Sequence, residues 1–177
     1  MFIDLLRSRR SIRKFQDRSV EAEKVDLLVE AALRSPSSRG FNPWEFVVVT
    51  DPEIIGRLST AKPHGASFLA NASLAIVVCA DPSKSDVWVE DVSIATFALH
   101  LAATDLGLGS CWIQLRKRNH DETQTAGEYA AKVLGLPGGL EVSAIMAIGY
   151  PAQELAPHPK ASLQYEKVSV NRYGTIE

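Results

Sequence analysis

The sequence predicts a single α/β domain, and three observations carry that expectation. Short apolar runs recur at 44–50, 74–80, 110–115 and 142–149; stretches of helical length lie between them; and there is no internal repeat or linker. At 177 residues the chain is long enough to build one sizeable core. Its hydrophobic content of 46% and charged content of 23% are those of a globular protein rather than a disordered one. A net charge of -2 and a pI near 6.1 give no bulk attraction to nucleic acid or to an anionic membrane, so neither is expected as a partner. Any anion recognition must then be local.

Phe2, Ile3, Leu5 and Leu6 suggest a short first helix that ends at a basic cluster. Ser19 is placed to cap the next helix, with Glu21 and Glu23 in its first turns, where negative charge suits the helix dipole. Val25, Leu28, Val29, Ala32 and Leu33 then follow the i, i+3, i+4, i+7, i+8 stripe of an amphipathic helix. Pro36 stops it, because the residue before a proline is pushed out of the helical region. Residues 35–43 hold Pro36, Pro43, Gly40 and Asn42 and read as a loop. The run from Trp44 to Thr50 is nearly continuous in apolar residues, which predicts a strand buried on both faces. Asp51-Pro52 starts a helix with Ile54, Ile55 and Leu58 on its apolar side, and Pro63-His64-Gly65 breaks it.

A short helical piece near Phe68 leads into a second buried strand, 74–80. From about 86 to 108 the chain is apolar almost all round, which marks a central core helix, an oligomer interface, or both. Gly107 and Gly109 end it. Glu90, Asp91, His100 and Asp105 within the stretch would be costly in a bilayer, so a membrane span is not expected. A strand at 110–115, a helix from about Thr123 to Leu134, a turn at 136–139 and a strand at 142–149 follow. Beyond Pro151 the chain turns proline-rich and poor in aliphatic clusters, so 151–177 reads as a tail of the 1–177 domain that needs a neighbouring surface.

Cys79 and Cys111 sit in apolar contexts with no CxxC and no histidine at ligand spacing, so buried free thiols are expected rather than a metal site. They fit a reducing compartment, and the N-terminus is too short and acidic for a signal peptide, so the expected location is cytoplasmic. The familiar catalytic patterns are missing: no GxxxxGK[ST], no GxGxxG after a strand, no HExxH and no GxSxG. His100 lies inside the core helix and reads as a hydrogen-bonded core histidine; Glu90 and Asp91 read as capping or interface groups. No side chain is therefore assigned a catalytic role. What remains is an anion-binding cluster, Arg9-Arg10-Ser11-Ile12-Arg13-Lys14-Phe15, and a loop, Ser35-Pro36-Ser37-Ser38, that leads to Asn42-Pro43-Trp44. A charge run by itself is often just a solvated face. A cofactor that carries its own chemistry would explain both the cluster and the lack of a catalytic set.

The two stretches just quoted, with Asp91 to Ala103 running into Leu106-Gly107-Leu108-Gly109-Ser110-Cys111-Trp112-Ile113, with Ala147-Ile148-Gly149-Tyr150-Pro151, and with Asn171-Arg172-Tyr173-Gly174, resemble the nitroreductase family in order and over nearly the whole chain. The resemblance implies a three-layer sandwich with a central mixed sheet of four to five strands flanked by helices, in an intertwined homodimer. It implies FMN as cofactor, NADH or NADPH as cosubstrate, and a small oxidised acceptor such as a nitroaromatic, a quinone or an activated alkene.

By the same resemblance, Arg9, Arg10, Ser11 and Arg13 hold the ribityl phosphate and pyrimidine edge of FMN, as guanidinium forks suit phosphate oxygens. Pro36, Ser37 and Ser38 come from the second subunit. Asn42 stands where many members have glutamine and reaches the ribityl or ring edge. Trp112, Ile113 and Gln114 pass beside the isoalloxazine, with a backbone N–H aimed at N5, and Arg172 completes the phosphate site. The chain is a short member, without the helical insertion of larger relatives, and no lysine for the pyrimidine is identifiable beyond Lys62 or His64 nearby. The rival readings are a flavin-binding or sensory module without turnover, and a specialised flavin enzyme for flavin breakdown or reductive dehalogenation.

Overall fold

The computed structural model describes residues 1–175 of the chain. Its centre is a four-stranded sheet of β1 (Trp44–Val49), β2 (Leu74–Ala80), β3 (Gly109–Gln114) and β4 (Glu141–Gly149), in the order β1-β2-β4-β3. Helices α2 (Ala22–Leu33), α3 (Pro52–Leu58), α4 (Trp88–Asp105) and α5 (Ala126–Leu134) cover it, and α1 (Phe2–Ser8) packs on α4 with no buried residue of its own. Side chains alternate along each strand, so the sheet feeds two cores. Ala75, Val77, Ile113, Ile145 and Ala147 join Ile55, Leu58 and Ala130 of α3 and α5 on one side. Leu74, Ile76, Val78, Met146 and Ile148 join Leu28, Val92, Ala95 and Leu99 of α2 and α4 on the other. The expected three layers are present.

The four strands pair antiparallel throughout rather than as a mixed sheet. The parallel element is one bridge at the β3 edge, Ser11 with Ser110. The two central strands carry the burial: all of β2, and all of β4 after Glu141. β1 is an edge strand, not the doubly buried one its apolar run suggests, and Glu45 and Val48 are exposed on it. An apolar run reports hydrophobicity but not how many neighbours a strand has.

Two helix starts differ from the sequence reading. α2 is capped at Glu21 and not at Ser19, and Glu21 makes no side-chain cap bond. Its carboxylate goes elsewhere, accepting from the Tyr150 hydroxyl at 2.6 Å and from Arg18 Nη2 at 2.7 Å. α5 starts at Ala126 because Thr125 and Glu128 form a capping box, while Asp121 draws the Thr123 and Gln124 N–H groups into a turn first. Elsewhere the local signals hold. Asp51 caps α3 through the Glu53 and Ile54 N–H groups with Pro52 at the first turn, and Gly107 closes α4 at φ +72°.

The Glu21 cluster ties α2 to the chain end of β4. Lys24 Nζ donates both to the Tyr150 hydroxyl and to the Leu106 carbonyl, each at 2.9 Å, and the Arg18 guanidinium stacks 3.7 Å over the Tyr150 ring. The Tyr150 hydroxyl, its own backbone N–H and Arg18 hold the Glu21 carboxyl down from 4.5 to about 2. A depressed carboxyl stabilises the fold above its unfolded value and loses that contribution as pH falls through the folded one, here between 4.5 and about 2. In denaturant titrations across that window, Glu21→Gln is expected to flatten the fall in unfolding midpoint relative to wild type. Equal slopes would remove the cluster from the acid response.

Candidate functional site at the sheet edge

The basic cluster is an extended strand laid against the open edge of β3. The Ile12 N–H donates to the Ser110 carbonyl at 2.9 Å, Phe15 bridges Pro151, and the Ala152 N–H donates to the Lys14 carbonyl at 2.9 Å. Ile12 and Phe15 turn into the core, which sends their neighbours outward. Close approach is made possible by Gly109, where a Cβ would lie 2.7 Å from Ile12 Cγ2.

Each arginine of the cluster has its own restraint. Arg9 Nη1 lies 2.9 Å from Nε2 of His100 on α4. Arg10 donates to the Ala156 carbonyl, at the start of the C-terminal segment. Arg13 reaches the Ser11 carbonyl at 3.4 Å, and its guanidinium stands 5.7 Å from the centre of the Phe68 ring. The Cys111 thiol of β3 feels the same charges. Burial pushes that thiol up, partly offset by Arg13 and the Ser11 hydroxyl. Burial and the Arg118 guanidinium push the Lys62 ammonium down.

β3 supplies the second wall. Ser110 points its carbonyl outward to Ile12, so by the two-residue alternation of a strand the Trp112 and Gln114 backbone groups face the same way. Beyond the Ser11 bridge, no other segment among the described residues pairs with that edge. Two backbone N–H donors thus face outward beside the cations. Ile113 points into the core and is fully buried, and by the same alternation its backbone groups face β4, so neither its side chain nor its backbone lies on the open edge. The Gln114 amide is held locally, accepting from Trp112 Nε1 and donating to the Arg116 carbonyl, both at 2.9 Å.

The Pro36–Asn42 loop is built separately. The Asn42 N–H donates to Ser37 Oγ at 2.9 Å and the Ser37 hydroxyl donates back to Asn42 Oδ1 at 2.7 Å, with Asn42 at φ +46°. The Ser38 N–H donates to Oδ1 of buried Asp91 at 2.8 Å, and Ser85 donates to the other oxygen at 3.0 Å. Asp91 is thus an anchor of the loop. Nine residues of α4 separate Asp91 from His100, roughly 13 Å at 1.5 Å per residue. Within one chain, the loop and the Arg9 end of the cluster attach to different points of one helix.

Arg9, Ser11, Arg13 and the outward edge of Trp112–Gln114 therefore come together. Pro36, Ser37, Ser38 and Asn42 form their own unit, and Arg172 lies in the exposed C-terminal segment with no side-chain hydrogen bond or ion pair among the described residues. Asp91 and the Arg9–His100 contact carried no local signal of these roles. Among the described residues no helix is long and apolar enough to cross a membrane.

The domain is thus an antiparallel sheet between two helical layers, with the stretch that carries Arg9, Arg10 and Arg13 bridged to its β3 edge. The nitroreductase family model matches residues 6–66 and 59–150, and the chain belongs to that family. A protein of Archaeoglobus fulgidus that bears the name NADH dehydrogenase/NAD(P)H nitroreductase is 39% identical over 156 residues, covering 86% of each chain. An FMN-dependent nitroreductase of Clostridium difficile R20291 superposes with a TM-score of 0.95 at 46% identity, over 97% of this chain and 99% of that one. A Desulfovibrio desulfuricans nitroreductase solved in complex with FMN gives a TM-score of 0.72 at 27% identity, over 90% of this chain and 92% of that one.

Proposed function

We propose that the protein is an FMN-dependent oxidoreductase that takes reducing equivalents from NADH or NADPH and delivers them, by ping-pong exchange at one site, to a small oxidised acceptor: a nitroaromatic, a quinone or an activated alkene. The observation that carries the reading is the fit of the donor set. Guanidinium groups and a serine hydroxyl on one pinned strand suit a phosphate monoester, and the adjoining free strand edge suits the polar rim of a planar heterocycle. The names of the Clostridium difficile and Desulfovibrio desulfuricans proteins support the choice of FMN.

When bound, FMN would supply the redox chemistry by accepting and returning a hydride equivalent. The chain's own residues have the remaining tasks. Arg9, Arg10 and Ser11 would hold the phosphate, with Arg172 joining them. Arg13 would sit at the pyrimidine edge as a fixed positive charge. The Trp112 and Gln114 N–H groups would orient the ring. Binding donor and acceptor in turn at one place needs positioning and fixed charge rather than a protein acid or base.

We further infer a homodimer with shared sites, in which Pro36, Ser37, Ser38 and Asn42 serve the partner. Two observations support it. α4 leaves Ile94 and Phe97 about half exposed, and Leu163, Tyr165 and Val168 of the C-terminal segment are more than half exposed with no core of their own. The separation along α4 keeps the loop apart from the Arg9 anchor of its own chain.

The test is gel filtration with absorbance at flavin and protein wavelengths, followed by steady-state oxidation of NADH and NADPH with menadione or nitrofurazone. A yellow dimer that turns over with parallel double-reciprocal lines is expected. Colourless protein that neither binds FMN nor oxidises either nicotinamide overturns the reading. A yellow protein inert with every acceptor would instead be a flavin-binding module, and a monomer holding stoichiometric FMN would contradict the shared site.

A further inference from the structure

His100 is a buried polar group that the proposed reaction does not use. It sits in the C-terminal third of α4, 6% exposed, between two partners: Arg9 Nη1 at 2.9 Å from Nε2, and Ser110 Oγ at 2.5 Å from Nδ1. A guanidinium can only donate, so Nε2 must be the acceptor. The neutral ring then carries its proton on Nδ1 and donates it to the Ser110 hydroxyl. Burial, with the Arg9 charge beside it, pushes His100 down to about 4, so the ring is a neutral acceptor at physiological pH. Ser110 belongs to the bridge that fixes Ser11 on β3, so the three groups join α4, β3 and the basic strand.

We propose that His100 is a positioning residue for the cofactor phosphate: it holds the Arg9 guanidinium in place through Nε2, with Nδ1–H anchored on Ser110, without touching the cofactor itself. This rests on the FMN reading of the basic strand. The identity of the residue supports the role. An apolar side chain would fill this place in α4 without having to satisfy buried polar atoms, but it could not hold a guanidinium. A carboxylate could hold it, yet would cancel the charge that a phosphate needs. A neutral imidazole restrains one arm of Arg9 and leaves the full positive charge and the other N–H donors for the ligand. Arg9 is only half-buried, so those donors remain reachable.

The test compares FMN with riboflavin, which has the same ring system and no phosphate, by quenching of flavin fluorescence in wild type, His100→Phe, Arg9→Ala and the double variant. His100→Phe is expected to weaken FMN about tenfold while riboflavin changes less than about twofold, and the FMN loss is expected to vanish in the Arg9→Ala background. Equal losses for both flavins, an unchanged FMN affinity, or the same loss without Arg9 would overturn the inference. Should His100→Phe fail to fold, His100→Asn and Ser110→Ala are read by the same FMN-to-riboflavin ratio. Wild-type protein that binds no FMN overturns the site reading itself. Wild-type binding with an unmoved ratio overturns only the role of His100.

Discussion

Replacing Gly109 by alanine is expected to strip the protein of FMN while leaving its overall fold in place. A Cβ at this position would lie 2.7 Å from Ile12 Cγ2, 2.9 Å from its Cβ and 3.1 Å from its Cγ1. Carbon atoms do not approach so closely, and Ile12 is packed in the core cluster on that side of the sheet. The relief available is for the basic strand to move off β3. That breaks the bond from the Ile12 N–H to the Ser110 carbonyl and displaces Arg9, Ser11 and Arg13 together. Overpacking of this kind costs about 1–3 kcal/mol of stability. The loss of cofactor should exceed it in effect, because several contacts move at once; a fall in FMN affinity of about a hundredfold corresponds to about 2.7 kcal/mol.

A double-mutant cycle separates the clash from other consequences of the extra methyl. Ile12→Ala alone leaves a cavity, but in the Gly109→Ala background it removes the contacts with Cγ2 and Cγ1 and leaves the one with Cβ at 2.9 Å, so it relieves the clash in part. The double variant should therefore be less impaired than the sum of its parts, with coupling of about 1–2 kcal/mol read from urea midpoints and from FMN titration. Additive losses would show that the strand yields elsewhere.

How much of this was legible in the sequence follows from the range of each interaction. The Asp51-Pro52 cap, the Gly107 stop and the apolar runs of β2 and β4 are written within a few residues, and the structure has them where those residues stand. β1 was misjudged because an apolar run is silent about strand order, and order is decided by pairing with β2 alone. The α2 cap was misplaced because Glu21 is drawn to Tyr150, 129 positions away. The cation cluster was visible as composition, but what restrains it was not. Arg9 and His100 are 91 positions apart, and Ser38 and Asp91 are 53 apart. Gln114 adds a contact no sequence pattern announces: its side-chain amide accepts from Trp112 and donates to the Arg116 carbonyl.

Asp91→Ala is expected to release the Pro36–Asn42 loop, and its effect reveals which subunit that loop serves. The carboxylate is 2% exposed, in the first turn of α4, where the helix dipole favours negative charge. Its two oxygens take the Ser38 N–H and the Ser85 hydroxyl. Truncation leaves both donors without their acceptor, at a cost of about 2–4 kcal/mol, whereas Asp91→Asn keeps an acceptor for Ser38 and should cost about 1 kcal/mol. FMN affinity should follow the same order. In a dimer with shared sites, Asp91→Ala damages the loop wall of one site and Arg9→Ala damages the cation wall of the other. A heterodimer carrying one lesion in each subunit concentrates both defects in a single site and leaves its second site intact. Co-expression of the two variants with different tags, followed by tandem purification, should then recover about half of the wild-type FMN content from two inactive parents. If loop and strand served the same chain's site, each site of the heterodimer would carry one lesion, and FMN content would stay at the level of the parents.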